Sequence, residues 1–260
     1  MQVLKWNNEK EELQKKDSLL EAFAIPLQEH MVLAFTGGGG KTTAMFSLAD
    51  ELAAQGKRVI VTTSTHIFYP PNRVVAEADN WESVSHFLAS RENPFSSLKG
   101  WVLVTGQPAR DGKLKGMDLS QLFKLTSLCD VLLVEADGAK RYPVKIPREG
   151  EPVLLKETHA VIGCMGLDSI GKTWEEGCFR QELAHQIFDS QKKGRFITPE
   201  AAAKILISPY GTRKGTESME YRILLNKADD EVRVSQAIDI IKVVGDVWAE
   251  NCVITSFFTP

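Results

Sequence analysis

The chain has 260 residues, a formal net charge of −3 and 43% hydrophobic residues. A chain of this length can bury a sizeable core without disulfides, and its composition is that of an ordinary globular protein. The small net charge predicts no general attraction to nucleic acid or to anionic membranes. The four cysteines form no CxxC pair, and no apolar run is long enough to span a membrane. We therefore expect a reduced, cytoplasmic protein with no zinc site, no membrane span and no nucleic-acid partner.

The beginning of the chain, residues 1–16, is polar and rich in charge, which predicts a surface helix or a frayed end. A short helix should follow it. Ser18 and Glu21 have the spacing of a capping box ahead of the apolar run LLEAFAI, and this spacing is typical of a helix N-terminus.

The next stretch, from Val32 to Met45, reads VLAFTGGGGKTTAM, and its glycines are Gly37, Gly38, Gly39 and Gly40. Glycines let the backbone curl so that its N–H groups point at phosphate oxygens, and the helix that follows adds donors and a positive dipole end. Lys41 would reach the outer phosphates, and the Thr42 hydroxyl would ligate Mg²⁺. Together with Thr43, these residues predict a phosphate-binding loop, or P-loop.

This loop departs from the general GxxxxGK[ST] pattern, which would have glycine where this chain has Phe35. Its GGxGKTT form resembles that of the dimerising ATPases and GTPases of metal and cofactor assembly. Many of those proteins carry a second lysine where this chain has Thr36. A homodimer is therefore a candidate assembly. The lysine that such proteins donate across the dimer, however, is replaced by threonine in this chain.

A second strand is predicted after Gly56, a helix stop signal, because the segment VIVTT is mostly β-branched. Thr62, Thr63 and Thr65 lie at the carboxyl end of this strand, where open α/β sheets bind ligands. Thr63 and Thr65 are candidates for contacting a second substrate or for forming a switch loop. Threonine is also a common strand residue, so a structural role is the alternative.

The rest of the chain continues this alternation of strands and helices. Strands are predicted at 101–105, 131–135, 160–164, 221–225 and 252–257, and helices at 79–90 (capped by Asp79 or Asn80), 117–128, 179–190, 199–207 and 229–244. The pattern predicts an α/β fold with a mostly parallel sheet and helices on both faces. Because no linker separates two cores, we expect one P-loop NTPase-like domain, residues 1–260, with residues 140–220 as an elaboration.

The segment VLLVEADG, residues 131–138, is an apolar strand that ends in acids. P-loop enzymes hold Mg²⁺ through an acid at such a strand end, usually by way of water. Glu135 and Asp137 are the candidates for this role and, with Lys41, for catalysis, and the sequence does not choose between the two acids. Glu135 and Gly138 also keep the spacing of the DxxG loop of GTP-hydrolysing proteins, whose glycine N–H touches the terminal phosphate. The alternative is that Glu135 only solvates a strand end.

Three cations, Lys140, Arg141 and Lys145, follow this strand closely. Lys140 and Lys145 are candidates for binding an anionic second substrate or the phosphates, or for forming a switch. The alternative is a solvated basic loop.

The segment RILLNKAD, residues 222–229, resembles the guanine-reading motif of G proteins. A carboxylate can accept two hydrogen bonds from the N1–H and N2–H₂ edge of guanine, whereas adenine presents no such donor pair. Asp229 would accept these bonds. Asn226 would brace the loop and contact the base, and the stem of Lys227 would lie over the ring. A polar strand end is the alternative.

The motifs GGGGKTT, VEADGAK and LNKAD stand in this order, with VTTSTHIF, GLDSIGK and ITPE around them. Together they resemble the YqeC family, whose members are described as accessory proteins of selenium-dependent molybdenum hydroxylases. The resemblance extends from the LLEAF helix to the last strand. It implies a role in the maturation of a molybdenum enzyme, with that hydroxylase or its cofactor as the partner.

We therefore expect a Mg²⁺-dependent protein that binds GTP, or ATP as the alternative, and hydrolyses it slowly. The nucleotide would order or release the loops at 63–70 and 136–147 and so change the affinity for a partner. Two other classes of protein stay open. A small-molecule kinase would hold its acceptor on the basic loop at 140–148. A carrier would bind a molybdopterin-type cofactor or an apo-enzyme, with the nucleotide in a structural role.

Overall fold

The computed structural model describes residues 1–77, 81–89, 95, 100–109, 112–188 and 194–258. The predicted cap residues Asp79 and Asn80, and residues 189 and 190 at the end of a predicted helix, lie outside these ranges. Within them, no helix combines the length and the apolar character that crossing a membrane would require.

Fourteen strands are present in these ranges. They are β1 (Gln2–Asn7), β2 (Glu12–Lys15), β3 (Met31–Gly37), β4 (Val59–Thr63), β5 (His66–Phe68), β6 (Val74–Glu77), β7 (Trp101–Thr105), β8 (Lys113–Lys115), β9 (Val131–Glu135), β10 (Val144–Lys145), β11 (Ala160–Gly166), β12 (Cys178–Phe179), β13 (Glu220–Asn226) and β14 (Cys252–Ser256).

Nine α-helices are present in the same part of the chain. They are α1 (Leu19–Phe23), α2 (Lys41–Ala54), α3 (Trp81–Leu88), α4 (Leu119–Leu125), α5 (Trp174–Gly177), α6 (Gln181–Phe188), α7 (Pro199–Ile207), α8 (Glu231–Val244) and α9 (Asp246–Ala249).

Ten of the strands form one sheet in the order β2-β1-β14-β13-β11-β3-β9-β4-β7-β6. The eight strands from β14 to β6 are parallel, so the predicted α/β fold with a mostly parallel sheet is confirmed. Because parallel strands end at the same edge, the loops after β3, β4, β9, β11 and β13 all meet there. This edge brings together the three sequence motifs.

Helices cover both faces of the sheet, and β3 shows why. Its consecutive residues are all buried, as expected of a central parallel strand. Leu33 and Phe35 pack on the side of α1 and α2. Val32 and Ala34 face the other side, where their clusters include residues of α4, α7 and α8.

The prediction of a surface helix or frayed end at residues 1–16 is wrong. β1 and β2 form a hairpin, and β1 extends the sheet by pairing antiparallel with β14, from Gln2 opposite Ser256 to Lys5 opposite Val253. Val3 is buried on one face of the sheet, and Trp6 is buried on the other. The many charged residues obscure the alternation of side chains between the two faces of the sheet, which is the signature of a strand. Pairing with the edge of β14 favours the extended conformation of this segment.

The stretch 140–220 contains both part of the main sheet and smaller elements. β11 lies between β3 and β13 and ends at the same edge of the sheet as the glycine loop after β3. β10 and β12 form a separate two-stranded parallel sheet in which Lys145 lies opposite Phe179. This small sheet fixes the segment that follows the VEADG motif.

The central strand should dominate stability. Phe35 is 0% exposed, so Phe35→Ala should lower the free energy of unfolding by about 3–5 kcal/mol through lost burial and a new cavity. Urea unfolding would measure this. Val247→Ala, at a position that is 79% exposed, is the matched control and should change the free energy by less than about 0.5 kcal/mol. Equal effects of the two substitutions would contradict the assigned core.

Candidate functional site

The glycine loop lies between the end of β3 at Gly37 and the start of α2 at Lys41. Gly39 has a φ of +68°, and a Cβ there would lie 2.0 Å from the amide nitrogen of Gly166, so only glycine fits. α2 has no side-chain cap and no acidic residue in its first turn. The positive end of the helix is therefore left without a protein anion from its own first turn.

The first three amides of the loop are bonded to protein acceptors. Gly38 N–H donates to the carbonyl of Cys164 at 3.0 Å, and Gly39 N–H donates to the carbonyl of Tyr142 at 3.1 Å. Gly37 N–H donates to Oδ2 of Asp137 at 3.1 Å. An anion at this loop would therefore have to displace one of these acceptors or bind at the first turn of α2.

Lys41 is buried, with only 4% of its side chain exposed. Its Nζ donates to the carbonyl of Gly37 at 2.5 Å and lies 3.1 Å from Oδ1 of Asp137. Burial alone would lower the pKa of Lys41, but the negative charges of Asp137 and Glu135 outweigh burial and raise it. The loop therefore holds a full ammonium charge in a low-dielectric site.

The Thr42 hydroxyl donates to Oε2 of Glu135 at 2.6 Å. Glu135 ends β9, which pairs directly with β3. Burial raises the pKa of Glu135, and the opposing effects of Lys41 and Thr42 are smaller. These two side chains offer hard oxygen ligands of the kind that Mg²⁺ prefers. The described residues contain no group of three or more His, Cys, Asp or Glu side chains suited to a metal, so Mg²⁺ here would take its other ligands from water and phosphate.

Asp137 has a different environment from Glu135. It belongs to a buried ion-pair chain that comprises Lys41, Asp137, Lys145, Glu151 and Arg180. Lys145 Nζ lies 3.1 Å from Oδ2 of Asp137 and 2.6 Å from Oε2 of Glu151. Arg180 binds Glu151 through two hydrogen bonds, of 2.7 and 2.9 Å. The chain of charges thus leads from the phosphate loop to β12 and α6.

The segment that covers the glycine loop, residues 139–146, is here named the strap. It begins with a tight turn in which Lys140 and Arg141 both have positive φ and Tyr142 N–H donates to the carbonyl of Ala139 at 2.9 Å. Two consecutive non-glycine residues in this conformation cost about 1–2 kcal/mol each. Lys140 itself turns away, with Nζ 5.1 Å from the centre of the Phe179 ring. Of the two predicted lysines, only Lys145 therefore lies at the phosphate loop.

The predicted guanine-reading motif reaches the phosphate loop through Asn226. Its Nδ2 donates to the carbonyl of Gly39 at 2.8 Å, and its Oδ1 accepts from the Thr255 hydroxyl at 3.0 Å. Asn226 therefore links the end of β13 to the glycine loop. Lys227 has positive φ and pairs with Oδ2 of Asp168 at 2.9 Å.

Asp229 is held by two donors. Ser256 Oγ donates to its Oδ1 at 2.6 Å, and Arg233 Nη1 donates to its Oδ2 at 2.8 Å. Beside this motif, a cleft of about 480 Å³ is lined by Asp168, Lys172, Arg233 and Gln236 among others. The end of β13 thus combines a fixed carboxylate with an open cleft.

The threonines after β4 lie against the end of β9. Thr63 Oγ1 donates to the carbonyl of Glu135 at 3.2 Å and lies 3.2 Å from the hydroxyl of Thr65. Thr65 in turn lies beside Gly138. Thr63, Thr65 and Gly138 therefore form one rim of the site, next to Glu135.

Three residues of this edge were given no role by sequence analysis: Glu151, Arg180 and Ser256. The position of Ser256 at the end of β14 could have indicated it, because that strand ends at the same edge as β13. The pairing of Glu151 with Arg180, 29 residues apart, leaves no pattern in the sequence.

The ion-pair chain should make stability depend on pH. Burial alone would raise the pKa of Glu151, but the Arg180 guanidinium and the Lys145 ammonium lower it from 4.5 to about 2. Arg148 also faces this carboxylate, at 3.3 Å. The stabilisation by Glu151 is therefore complete above its unfolded-state pKa and is lost as the pH falls from 4.5 towards 2.

We expect Glu151→Gln to be less stable than the parent at neutral pH, with a difference that shrinks at about pH 3. Urea unfolding at several pH values measures this difference. Glu149→Gln, at an exposed position nearby, should show no such pH-dependent loss. A difference between Glu151→Gln and the parent that stays constant with pH would contradict the assignment.

Comparison with known proteins identifies relatives of this chain. The family model described as "YqeC protein" matches residues 33–182, more than half of the chain. A protein of Escherichia coli (strain K12) named "Uncharacterized protein YqeC" is 36% identical over 144 residues, a match that covers 54% of this chain and 53% of that relative. The matched region thus spans about half the length of the relative. On the match to the family model, the chain belongs to the YqeC family.

Proposed function

We propose that this protein binds a nucleoside triphosphate with Mg²⁺ at the loop Gly37–Thr43 and hydrolyses GTP slowly. The observation that carries this proposal is the 2.6 Å hydrogen bond from the Thr42 hydroxyl to Oε2 of Glu135. This bond lies at the N-terminus of α2, which has no side-chain cap. A hydroxyl and a carboxylate at this place, beside a buried lysine, match the needs of a metal-bound triphosphate.

Each group has one role in this proposal. Lys41 and the amides of the first turn of α2 bind the outer phosphates. Thr42 and Glu135 would hold Mg²⁺, which would supply positive charge to offset that of the phosphates. We assign the metal to Glu135 and not to Asp137 because both oxygens of Asp137 already face Lys41, Lys145 or the Gly37 amide. Hydrolysis would rely on positioning and on charge neutralisation.

The base would bind at the end of β13. Asp229 would accept the two donors of the guanine edge with the remaining lone pairs of its two oxygens, while Ser256 and Arg233 fix its orientation. Asn226 would link this end of the ligand to the phosphate loop, because its amide already contacts Gly39. The choice of GTP over ATP in this proposal depends on Asp229.

The biological role in the proposal comes from the family resemblance. We infer a cytoplasmic accessory factor in the maturation of a selenium-dependent molybdenum hydroxylase, with that enzyme or its cofactor as the partner. The rim formed by Thr63, Thr65 and Gly138 would sense the terminal phosphate and transmit the nucleotide state to the partner.

Lys41 provides the first test. Lys41→Met keeps much of the side-chain volume but removes the ammonium, so GTP turnover should fall by about 100-fold or more. Calorimetry with Mg²⁺ and either GTP or ATP, together with phosphate release, measures binding and turnover. Lys57→Met, at an exposed position after α2, is the control and should behave like the parent. Parent-like turnover by Lys41→Met, or no binding of either nucleotide to the parent, would refute the proposal.

Asp229 provides a test of base preference. Asp229→Asn replaces an acceptor oxygen by an amide donor, so the preference for GTP over ATP should fall by about tenfold or more. Competition between the two nucleotides, measured by calorimetry, gives this ratio. Asp239→Asn changes an exposed acid of α8, the helix that follows Asp229, and should leave the ratio unchanged. An unchanged ratio in Asp229→Asn would remove the basis for assigning GTP.

A further inference from the structure

The carboxylate of Asp137 receives the set of donors that a bound phosphate would need. Gly37 N–H and Lys145 Nζ each lie 3.1 Å from its Oδ2, and Lys41 Nζ lies 3.1 Å from its Oδ1. Asp137 is only 2% exposed. A loop amide and two ammonium groups that converge on one buried anion constitute an oxyanion site, which a protein side chain fills here.

Lys145 is the most deeply buried cation of this set. Its side chain is 0% exposed, and its Nζ lies between two carboxylates, 3.1 Å from Oδ2 of Asp137 and 2.6 Å from Oε2 of Glu151. Burying an ammonium is costly unless it is paired, so the position of Lys145 depends on these two carboxylates. The Glu151 carboxylate has its own partner in Arg180. Lys145 can therefore change partners without leaving Glu151 unpaired.

The balance of charges would favour a further anion once a metal ion is bound. The ion-pair chain has three cations, Lys41, Lys145 and Arg180, against two carboxylates, Asp137 and Glu151. Glu135 supplies the remaining negative charge through its effect on Lys41. A metal ion bound to Glu135 would take up that charge, and one positive charge at the phosphate loop would then need an anion.

Lys145 is also held in a fixed place. It lies in β10, opposite Phe179 of β12. The strap to which it belongs is bonded to the Gly39 amide through the carbonyl of Tyr142. Thr36, where related loops carry a second lysine, donates instead to the carbonyl of Thr212 at 3.1 Å. The strap thus brings a second ammonium to the phosphate loop from a different part of the chain.

We propose that Lys145 is a second phosphate-binding lysine and that Asp137 occupies the position of the terminal phosphate when no nucleotide is bound. This inference rests on the proposed function. On binding, the terminal phosphate replaces Asp137 between Lys41 and Lys145. The displaced carboxylate moves with residues 136–138, whose Gly138 lies beside Thr65.

Three variants test this inference: Asp137→Asn, Lys145→Met and the double variant. Calorimetry would use GTP with Mg²⁺, GDP with Mg²⁺, and inorganic tripolyphosphate as a probe without a base. Asp137→Asn removes the competing charge, so tripolyphosphate should bind about tenfold more tightly than to the parent. Lys145→Met should lower the affinity for GTP by about tenfold or more and lower the affinity for GDP much less. The double variant should lose the gain seen in Asp137→Asn.

Circular dichroism and thermal unfolding check that the variants fold. The double variant removes one charge of each sign and so keeps the net charge of the site. If Asp137→Asn does not fold, the double variant and Lys145→Met still test the role of Lys145. Parent-like GTP affinity in Lys145→Met would overturn the inference and leave the proposed function intact. So would weaker tripolyphosphate binding to Asp137→Asn, which would indicate that Asp137 is a ligand. A parent that binds neither GTP, ATP nor tripolyphosphate would refute the proposed function and this inference together.

Discussion

The pairing of β3 with β9 is the constraint on which the rest of the site depends. It places the phosphate loop and the acids of the VEADG segment at the same buried edge, with Phe35 opposite Glu135. Once these strands are adjacent, Thr42 meets Glu135, and Asp137 meets both Lys41 and the Gly37 amide. Burying so many charged groups is unfavourable unless they are paired, and each of these charges has an opposite charge or a hydrogen-bond donor beside it.

The buried edge gives the two acids different environments. Glu135 faces a hydroxyl at the helix end, where a hard cation would be bound by oxygen ligands. Asp137 faces ammonium groups on both sides, which suits a carboxylate that stands in for another anion. Two acids separated by a single residue can differ in this way because side chains near the end of a strand point in different directions.

Much of this arrangement could be predicted from the sequence because it follows from local pattern and parallel topology. The β-branched and apolar runs indicated the strands, and strand ends in a parallel sheet must meet, so Thr42 could be placed near either Glu135 or Asp137. Other features depend on distant partners. The hairpin of β1 and β2 is stabilised by the edge of β14, and Lys145 is buried because β12 and Glu151 receive it. Neither partner is visible in the residues around those segments.

The amide of Asn226 touches the phosphate loop and the last strand at once, through Gly39 and Thr255. If the proposed nucleotide binds here, this single side chain would couple the two ends of the ligand. A displacement of the glycine loop would then shift residues 226–229, and the reverse also holds because linkage is reciprocal. A ligand fragment that filled only one end would forgo this cooperative gain, so selectivity would reside in the intact molecule more than in the sum of its parts.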